Sequence, residues 1–203
     1  TTVGIIPIGA VYLFVRDRNV DTVAELAGKK IATMDYDKAS VVMVEKIGSI
    51  MVPADLGSIG PKFNNGDVDA CYVSAPAYAP FELSKGLGTS GGIVKLPLVQ
   101  ATLQVLAHED AFPADFASKS RAFFWGQFDE AMGYVAKAEA EIPNHYWIEL
   151  PASSLPGFDE MFQKSRIELR DQHKAYDAKM LGVMRDKRCK AEPTRAECAE
   201  DKE

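Results

Sequence analysis

The chain is predicted to be an α/β protein, with a mixed sheet flanked by helices and long helices toward its carboxyl end. Three observations predict it. Residues 20–81, VDTVAELAGKKIATMDYDKASVVMVEKIGSIMVPADLGSIGPKFNNGDVDACYVSAPAYAPF, pass from short helix to strand, loop, helix and strand, with turn residues at each junction. Residues 96–107 alternate with a period of two. Residues 115–185 carry two long stretches at helical spacing.

The elements follow in order. Gly4 to Arg16 is rich in Val, Ile, Tyr and Phe and reads as strand. Asp21 is placed to cap a short helix from Thr22 to Ala27, which Gly28 ends. Lys30 to Met34 is strand. Asp37 is placed to cap a helix from Lys38 to Ile50, with Val41, Val44 and Ile47 on its apolar face. Ala54 to Asn65 is a helical segment weakened by Gly57, Gly60 and Pro61. Gly66-Asp67 turns the chain into a strand from Val68 to Val73. Pro76 to Ser84 is a loop or short helix, and Gly86 to Gly92 a glycine-rich turn.

Between Leu96 and Ala107, Val99, Ala101, Leu103, Val105 and Ala107 fall on one face, and Leu98, Gln100, Thr102, Gln104 and Leu106 on the other. Such alternation predicts a long half-buried strand. Asp115 or Ser118 opens a helix to about Ala140, whose stripe of Phe116, Phe123, Phe124, Phe128, Met132 and Val135 reads as core. His145 to Leu150 reads as a short strand. Ser154 caps a final helix from Pro156 to Arg185. The expected organisation is one α/β domain over residues 1–187 and a mobile charged tail over 188–203.

The 203 residues are 47% hydrophobic and 26% charged, enough for a sizeable core. A net charge of −6 argues against a nucleic-acid surface. No apolar run approaches the roughly 20 residues needed to span a bilayer as a helix. The chain starts at Thr1 without a signal peptide, as expected of a processed form or a fragment, so the missing signal does not argue against export.

Of three cysteines, Cys71 lies in an apolar strand and reads as a small buried hydrophobe. Cys189 and Cys198 flank eight residues that include Pro193, a loop able to close as a disulfide. A disulfide would suit an oxidising compartment. Free thiols and half of a zinc site are the other readings.

Gly86-Leu87-Gly88-Thr89-Ser90-Gly91 matches G-x-G-x-x-G but precedes a strand, where a dinucleotide fingerprint follows one. His108, His145 and His173 are too far apart in sequence for a metal motif. Caps and turns account for the pairs Asp35/Asp37 and Asp67/Asp69. The expectation is therefore no enzyme and no cofactor. Ligands of open α/β sheets sit beyond the carboxyl ends of strands. Here that selects Asp35, Tyr36 and Asp37 after one strand, and Ser74, Ala75, Pro76 and Tyr78 after the next, beside the amino end of the Lys38 helix. Tyr36, Tyr72 and Tyr78 offer flat walls with a polar tip. Each of these residues also fits a capping or packing role.

The order of Glu25-Leu26-Ala27-Gly28-Lys29-Lys30-Ile31, then Phe63-Asn64-Asn65-Gly66-Asp67-Val68-Asp69-Ala70, resembles the second lobe of type-2 periplasmic solute-binding proteins, especially the DctP-like receptors of TRAP transporters. The resemblance covers about Gly9 to Leu150. It implies a periplasmic-binding-protein-like lobe in the periplasm, which takes a small molecule in an interlobe cleft and delivers it to a membrane permease. It also implies that the strand with Gln100 and Thr102 crosses between lobes and shows one face to the cleft. In that family an arginine after the G-x-K-I strand start clamps a substrate carboxylate; here Ala32 stands there. Arg16 is the nearest candidate for the second basic ligand. A neutral or cationic ligand is expected in place of an organic acid. Against the resembled receptors, much of the first lobe is not in this chain, so a homodimer is expected. The rival reading is a degenerate lobe serving an envelope transport or efflux complex as an accessory subunit.

Overall fold

A computed structural model describes residues 1–199 and Lys202, with Glu109 described by its backbone alone. Six strands form one mixed sheet: β1 (Thr2–Val15), β2 (Lys30–Met34), β3 (Ile50–Ala54), β4 (Ala70–Ser74), β5 (Gly92–Leu106) and β6 (Trp147–Ile148). Their order is β3-β2-β4-β1-β5-β6. The pairs β2–β3, β2–β4 and β5–β6 are parallel, whereas β1 is antiparallel to both neighbours. So β1 alone runs against the other five, and the carboxyl ends of β2, β3 and β4 lie at one edge. The helices are α1 (Lys38–Lys46), α2 (Ile59–Asn65), α3 (Ser84–Leu87), α4 (Phe116–Gly126), α5 (Phe128–Glu141), α6 (Leu155–Asp171) and α7 (Ala178–Ala191).

Local chemistry sets most of these bounds. Asp37 accepts from the backbone N–H groups of Ala39 and Ser40 and starts α1. Gly66 ends α2 at φ 82°, a left-handed residue that glycine adopts without strain. Asp21 does not cap the turn at Ala24–Leu26. The Glu25 carboxylate instead receives the N–H groups of Asp21 and Thr22 while the Thr22 hydroxyl receives the N–H of Glu25, a reciprocal capping box. Ser154 occupies its N-cap position without a side-chain cap bond.

The sheet is covered on both faces. Phe14, Ala32, Cys71, Val73 and Ile93 pack with Ile59 and Phe63 of α2 and with Leu83 and Leu87. On the other face Leu13, Val15, Ile31, Ala70, Tyr72 and Val94 pack with Val44 of α1 and Phe158 and Met161 of α6. Fully burying side chains such as Phe14, Ile31 and Phe63 contributes about 1.5–3 kcal/mol each. Burial also pushes the Cys71 thiol up, so it is an inert core group.

Several expectations are corrected. The helix over 38–50 stops at Lys46, and Ile50–Ala54 is strand β3 at the sheet edge. Pro53 is tolerated there because an edge strand has one unpaired side. The helix over 115–140 divides at Gln127 into α4 and α5. The final helix divides between Asp171 and Ala178, where Lys174 takes a left-handed φ of 51°. The aromatic stripe is not core. None of α4 is buried, and Phe123 is 62%, Trp125 79% and Phe128 41% exposed; Val135 alone of that stripe is buried. The strand expected half-buried is β5, exposed on both faces in its distal part, with Val99 50%, Leu103 54% and Leu106 70% exposed.

The last two findings share a cause. β4 pairs with β1 only over Val11–Val15, and β6 pairs with β5 only at Ile93 and Val94. The rest of β1 and β5 forms a two-stranded arm beyond the layered body. α4 and α5 pack along β1 there: a Cβ at Gly4 would fall on the Phe124 ring, and one at Gly9 on Val135. Gly9 also holds φ 83° at a register shift between Pro7 and Gly9, so it answers two demands at once.

The boundary expected at 187 falls inside α7. Cys189 and Cys198 are joined by a disulfide. Glu197, at 7% exposure, lies between them under three arginines, 2.5 Å from Arg166, 2.8 Å from Arg188 and 3.3 Å from Arg195. The segment read as a mobile tail thus carries a helix end, a crosslink and a buried carboxylate. Its Glu200, Asp201 and Glu203 lie outside the described residues.

Candidate functional site

The candidate site lies at the carboxyl ends of β2 and β4, where the arm leaves the body. Parallel pairing of β2 with β4 brings the loop after Met34 and the turn after Ser74 to one edge. Asp35 and Tyr36 stand exposed at that mouth, Tyr36 at 66%. The Tyr36 hydroxyl donates to the Met34 sulfur at 2.9 Å. Asp37 is half-buried and engaged: one carboxylate oxygen caps α1 and the other takes the Ser40 hydroxyl. Both of its oxygens are thus engaged within the first turn of α1.

Two tyrosines complete this corner. Tyr72 is buried, and its hydroxyl accepts the Met34 N–H at 3.0 Å. Burial pushes its pKa up, and the charge of Asp37 adds to that against hydrogen bonds from Ser40 and Met34. Tyr176, in the connection between α6 and α7, is raised by burial and then by Asp37, with Arg166 opposing. It was not expected from sequence. Nothing in its neighbourhood distinguishes it, and it feels the charge of Asp37 where α6 packs on α1. Asp35, Tyr36, Asp37, Tyr72 and Tyr176 together make an electronegative corner lined with phenol groups.

The other expected residues divide. Tyr12 faces Val73 and Val11 faces Ser74 across β1 and β4, and Ala10 faces Gln100 across β1 and β5. Cross-strand partners share a face, and successive residues alternate. Ser74 therefore points to the face of Tyr72 and α1, whereas Gln100 points with Tyr12 to the opposite face. Two strands, about 10 Å, separate their rows. Thr102 lies two residues further along the arm, opposite Pro7. Tyr78 packs on the Tyr12 face, its ring 6.4 Å from that of Tyr146. There the Tyr12 hydroxyl donates to Glu139 at 2.9 Å, and its ring meets Trp147 edge-on at 5.1 Å. Burial and the Glu139 carboxylate push the Tyr12 pKa up to about 12. So Asp35, Tyr36 and Asp37 gather with Ser74 at the electronegative corner, while Tyr78, Gln100 and Thr102 lie on the Tyr12 side.

Arg16 belongs to neither group. Its Nη1 donates to the carbonyls of Phe63 at 2.8 Å and Gly86 at 3.2 Å, at the end of the sheet opposite Ser74. A guanidinium bound to the carbonyl end of a helix is well placed against the dipole. Ala32 is 0% exposed inside the apolar cluster of Phe14, Ile59 and Phe63.

A family model described as "Solute-binding protein AdeT 1/2" matches residues 1–203. A protein named probable solute-binding protein AdeT1, from Acinetobacter baumannii, is 39% identical over 196 residues, covering 97% of this chain and 64% of its own. Probable solute-binding protein AdeT2 from the same organism is 26% identical over 199 residues, covering 97% of this chain and 82% of its own. The chain thus spans less than two thirds of AdeT1. Among solved structures, a TRAP periplasmic solute-binding protein from Desulfovibrio salexigens with bound orotic acid superposes with a TM-score of 0.71 at 14% identity, over 86% of this chain and 58% of that one. Another, from Pseudomonas aeruginosa with bound L-malate, gives 0.71 at 8% identity, over 84% of this chain and 63% of that one. The ectoine-binding protein of a Halomonas elongata TRAP transporter gives 0.62 at 14% identity, over 84% and 59%. At these identities the structures show the fold, which is that of the TRAP receptors.

Proposed function

The chain belongs to the AdeT 1/2 solute-binding protein family, and from that premise we propose that it is a binding protein, not an enzyme, working outside the cytoplasm. It holds a small molecule at the carboxyl ends of β2 and β4 and hands it to a membrane permease or envelope transport complex. Family membership supports the solute-binding role. The TRAP-receptor fold supports the site, since open α/β sheets bind ligands beyond their strand ends. The disulfide between Cys189 and Cys198 suits an oxidising compartment.

One observation carries the choice of ligand. The corner of Asp35, Asp37, Tyr36, Tyr72 and Tyr176 is electronegative, and the two arginines a carboxylate would need are missing from it. Ala32 fills one position inside the core, and Arg16 is committed to backbone carbonyls at the far end. We infer a cationic or neutral solute, with the exposed Asp35 meeting its charge and Tyr36 its apolar surface.

Isothermal calorimetry tests this with choline and neutral sugars on one side, and succinate and L-malate on the other. Binding of a cationic or neutral solute, weakened about tenfold or more by Asp35→Asn as a charge-assisted bond is lost, is the expected result. Micromolar binding of the dicarboxylates overturns the charge preference. The same buried Ala32 and committed Arg16 also favour a second reading, a lobe that has lost its solute and serves as an accessory subunit. Failure of every solute class, with retention on an envelope transport complex, selects that reading.

A further inference from the structure

Between the sheet and the helices α1 and α6 the packing leaves a cavity. Leu13 and Ile31 of the sheet, Met43 and Val44 of α1, and Phe158 and Met161 of α6 line it, and its volume is about 40 Å³. Protein interiors leave few voids larger than a water molecule, which needs about 10–15 Å³ of such space. This one is therefore more than an ordinary packing gap.

Water is not suited to fill it, because a buried water needs about two to four polar partners. Among the lining residues only Ser40 and Tyr72 carry hydroxyls, and both are committed elsewhere. The Ser40 hydroxyl donates to Asp37, and the Tyr72 hydroxyl accepts the Met34 N–H at 3.0 Å. Both hydroxyls thus turn toward residues 34–37, and the cavity keeps the Tyr72 ring and aliphatic walls. Met43 and Met161 are unbranched and polarisable, so those walls adapt to a guest. We propose that this cavity is a second binding site, for a small apolar molecule, and that Tyr72 couples it to the loop of residues 34–37.

The coupling follows from the place of Tyr72. It faces Leu13 across β1 and β4, and both line the cavity. Its hydroxyl holds the amide of Met34, the last residue of β2, immediately before Asp35 and Tyr36. A guest that moves the ring moves the hydroxyl, and with it the amide from which the loop departs. The cavity stands without the solute reading above; only an effect on solute affinity would rest on that reading.

Xenon is the probe, since an engineered apolar cavity of about 150 Å³ takes xenon or benzene and xenon is the smaller guest. Methyl and amide NMR spectra of the whole chain under rising xenon pressure give the readout. The methyl signals of Met43 and Met161 and the amide signal of Met34 should shift and saturate. Met180 and Met184, 55% and 53% exposed on α7, should stay in place. Val44→Phe fills the cavity and should abolish the shifts at Met43 and Met161. Val44→Ala enlarges it and should saturate at lower xenon pressure, which keeps the test sharp if the larger side chain prevents folding. Tyr72→Phe retains the ring and loses the hydroxyl: xenon should still shift Met43 and Met161 but no longer Met34. Shifts that do not saturate, or that match those of Met180 and Met184, overturn the site. A Met34 shift that survives Tyr72→Phe overturns the coupling. Failure of choline to bind beside Asp35 would count against the solute reading, whereas the xenon shifts decide the cavity.

Discussion

Glu197 shows how one side chain organises a segment that composition marks as solvated. Burial works to raise its pKa, but the hydrogen bond from Arg188 and the charges of Arg166, Arg188 and Arg195 outweigh it and hold the carboxyl below the usual range. A carboxyl whose pKa is lowered on folding contributes stability above its unfolded value, and that contribution is lost as pH falls through the folded one. Acid should therefore loosen the α7 end first. Glu197→Gln should cost about 1.5–3 kcal/mol at neutral pH, since it removes the charge from hydrogen bonds that Arg166 and Arg188 make to a buried carboxylate. It should also flatten the acid limb of a urea-melt series from pH 7 to 3. An unchanged limb would show that other carboxylates dominate. Residue-scale legibility follows distance along the chain. Asp37 as the cap of α1 was readable because its partners are two and three residues away. The partners of Arg16 gave no such signal because they lie 47 and 70 residues away.

At the scale of elements, periodicity identified β2, the Asp37-capped helix and the long strand, all of which carry strong local patterns. It could not find β3, five residues with a proline that exist as strand because β2 offers them an edge. Nor could it tell that the stripe on α4 and α5 faces outward, because a period reports an apolar face and not a partner for it. The joint between α7 and its following turn was half legible: spacing allowed the disulfide, but Glu197 beneath it gave no local signal. Closing that short loop contributes about 2–3 kcal/mol in the chain-entropy model. Cys189→Ser with Cys198→Ser should lose that amount in guanidinium melts with an unchanged transition slope. A larger loss would mean that the crosslink also holds Glu197 in its arginine site.

The whole molecule is a layered body with an arm, and its apolar surface is divided unevenly between them. Trp147 packs in the body against Tyr12, whereas Trp125 on α4 is 79% exposed near Phe128. Patches of this kind mark contact surfaces. Acrylamide should quench the Trp147→Phe variant, which reports Trp125, several-fold more strongly than the Trp125→Phe variant. Equal quenching would show that something covers α4 in solution. The body was largely legible because its helix and strand signals agree with one another. The arm was not, because its strands are defined by neighbours that end early.

The lone reversed strand also bears on the order in which this chain can assemble. β1 precedes β4 and β5 in the chain yet sits between them, and the Thr1 nitrogen donates to the Ala107 carbonyl 106 residues later. Loops of that length close slowly, and proteins dominated by such contacts fold slowly. The parallel trio β3-β2-β4 can form from contacts within about forty-five residues, and Val11–Val15 of β1 can join β4 as soon as β4 is made, but residues 2–10 have no strand to pair with until β5 emerges. The amino-terminal half of β1, with Val3, Ile5, Ile6 and Ile8, therefore stays unpaired while the stretch between β1 and β5 is being made, and the early fate of the chain depends on whatever shields it.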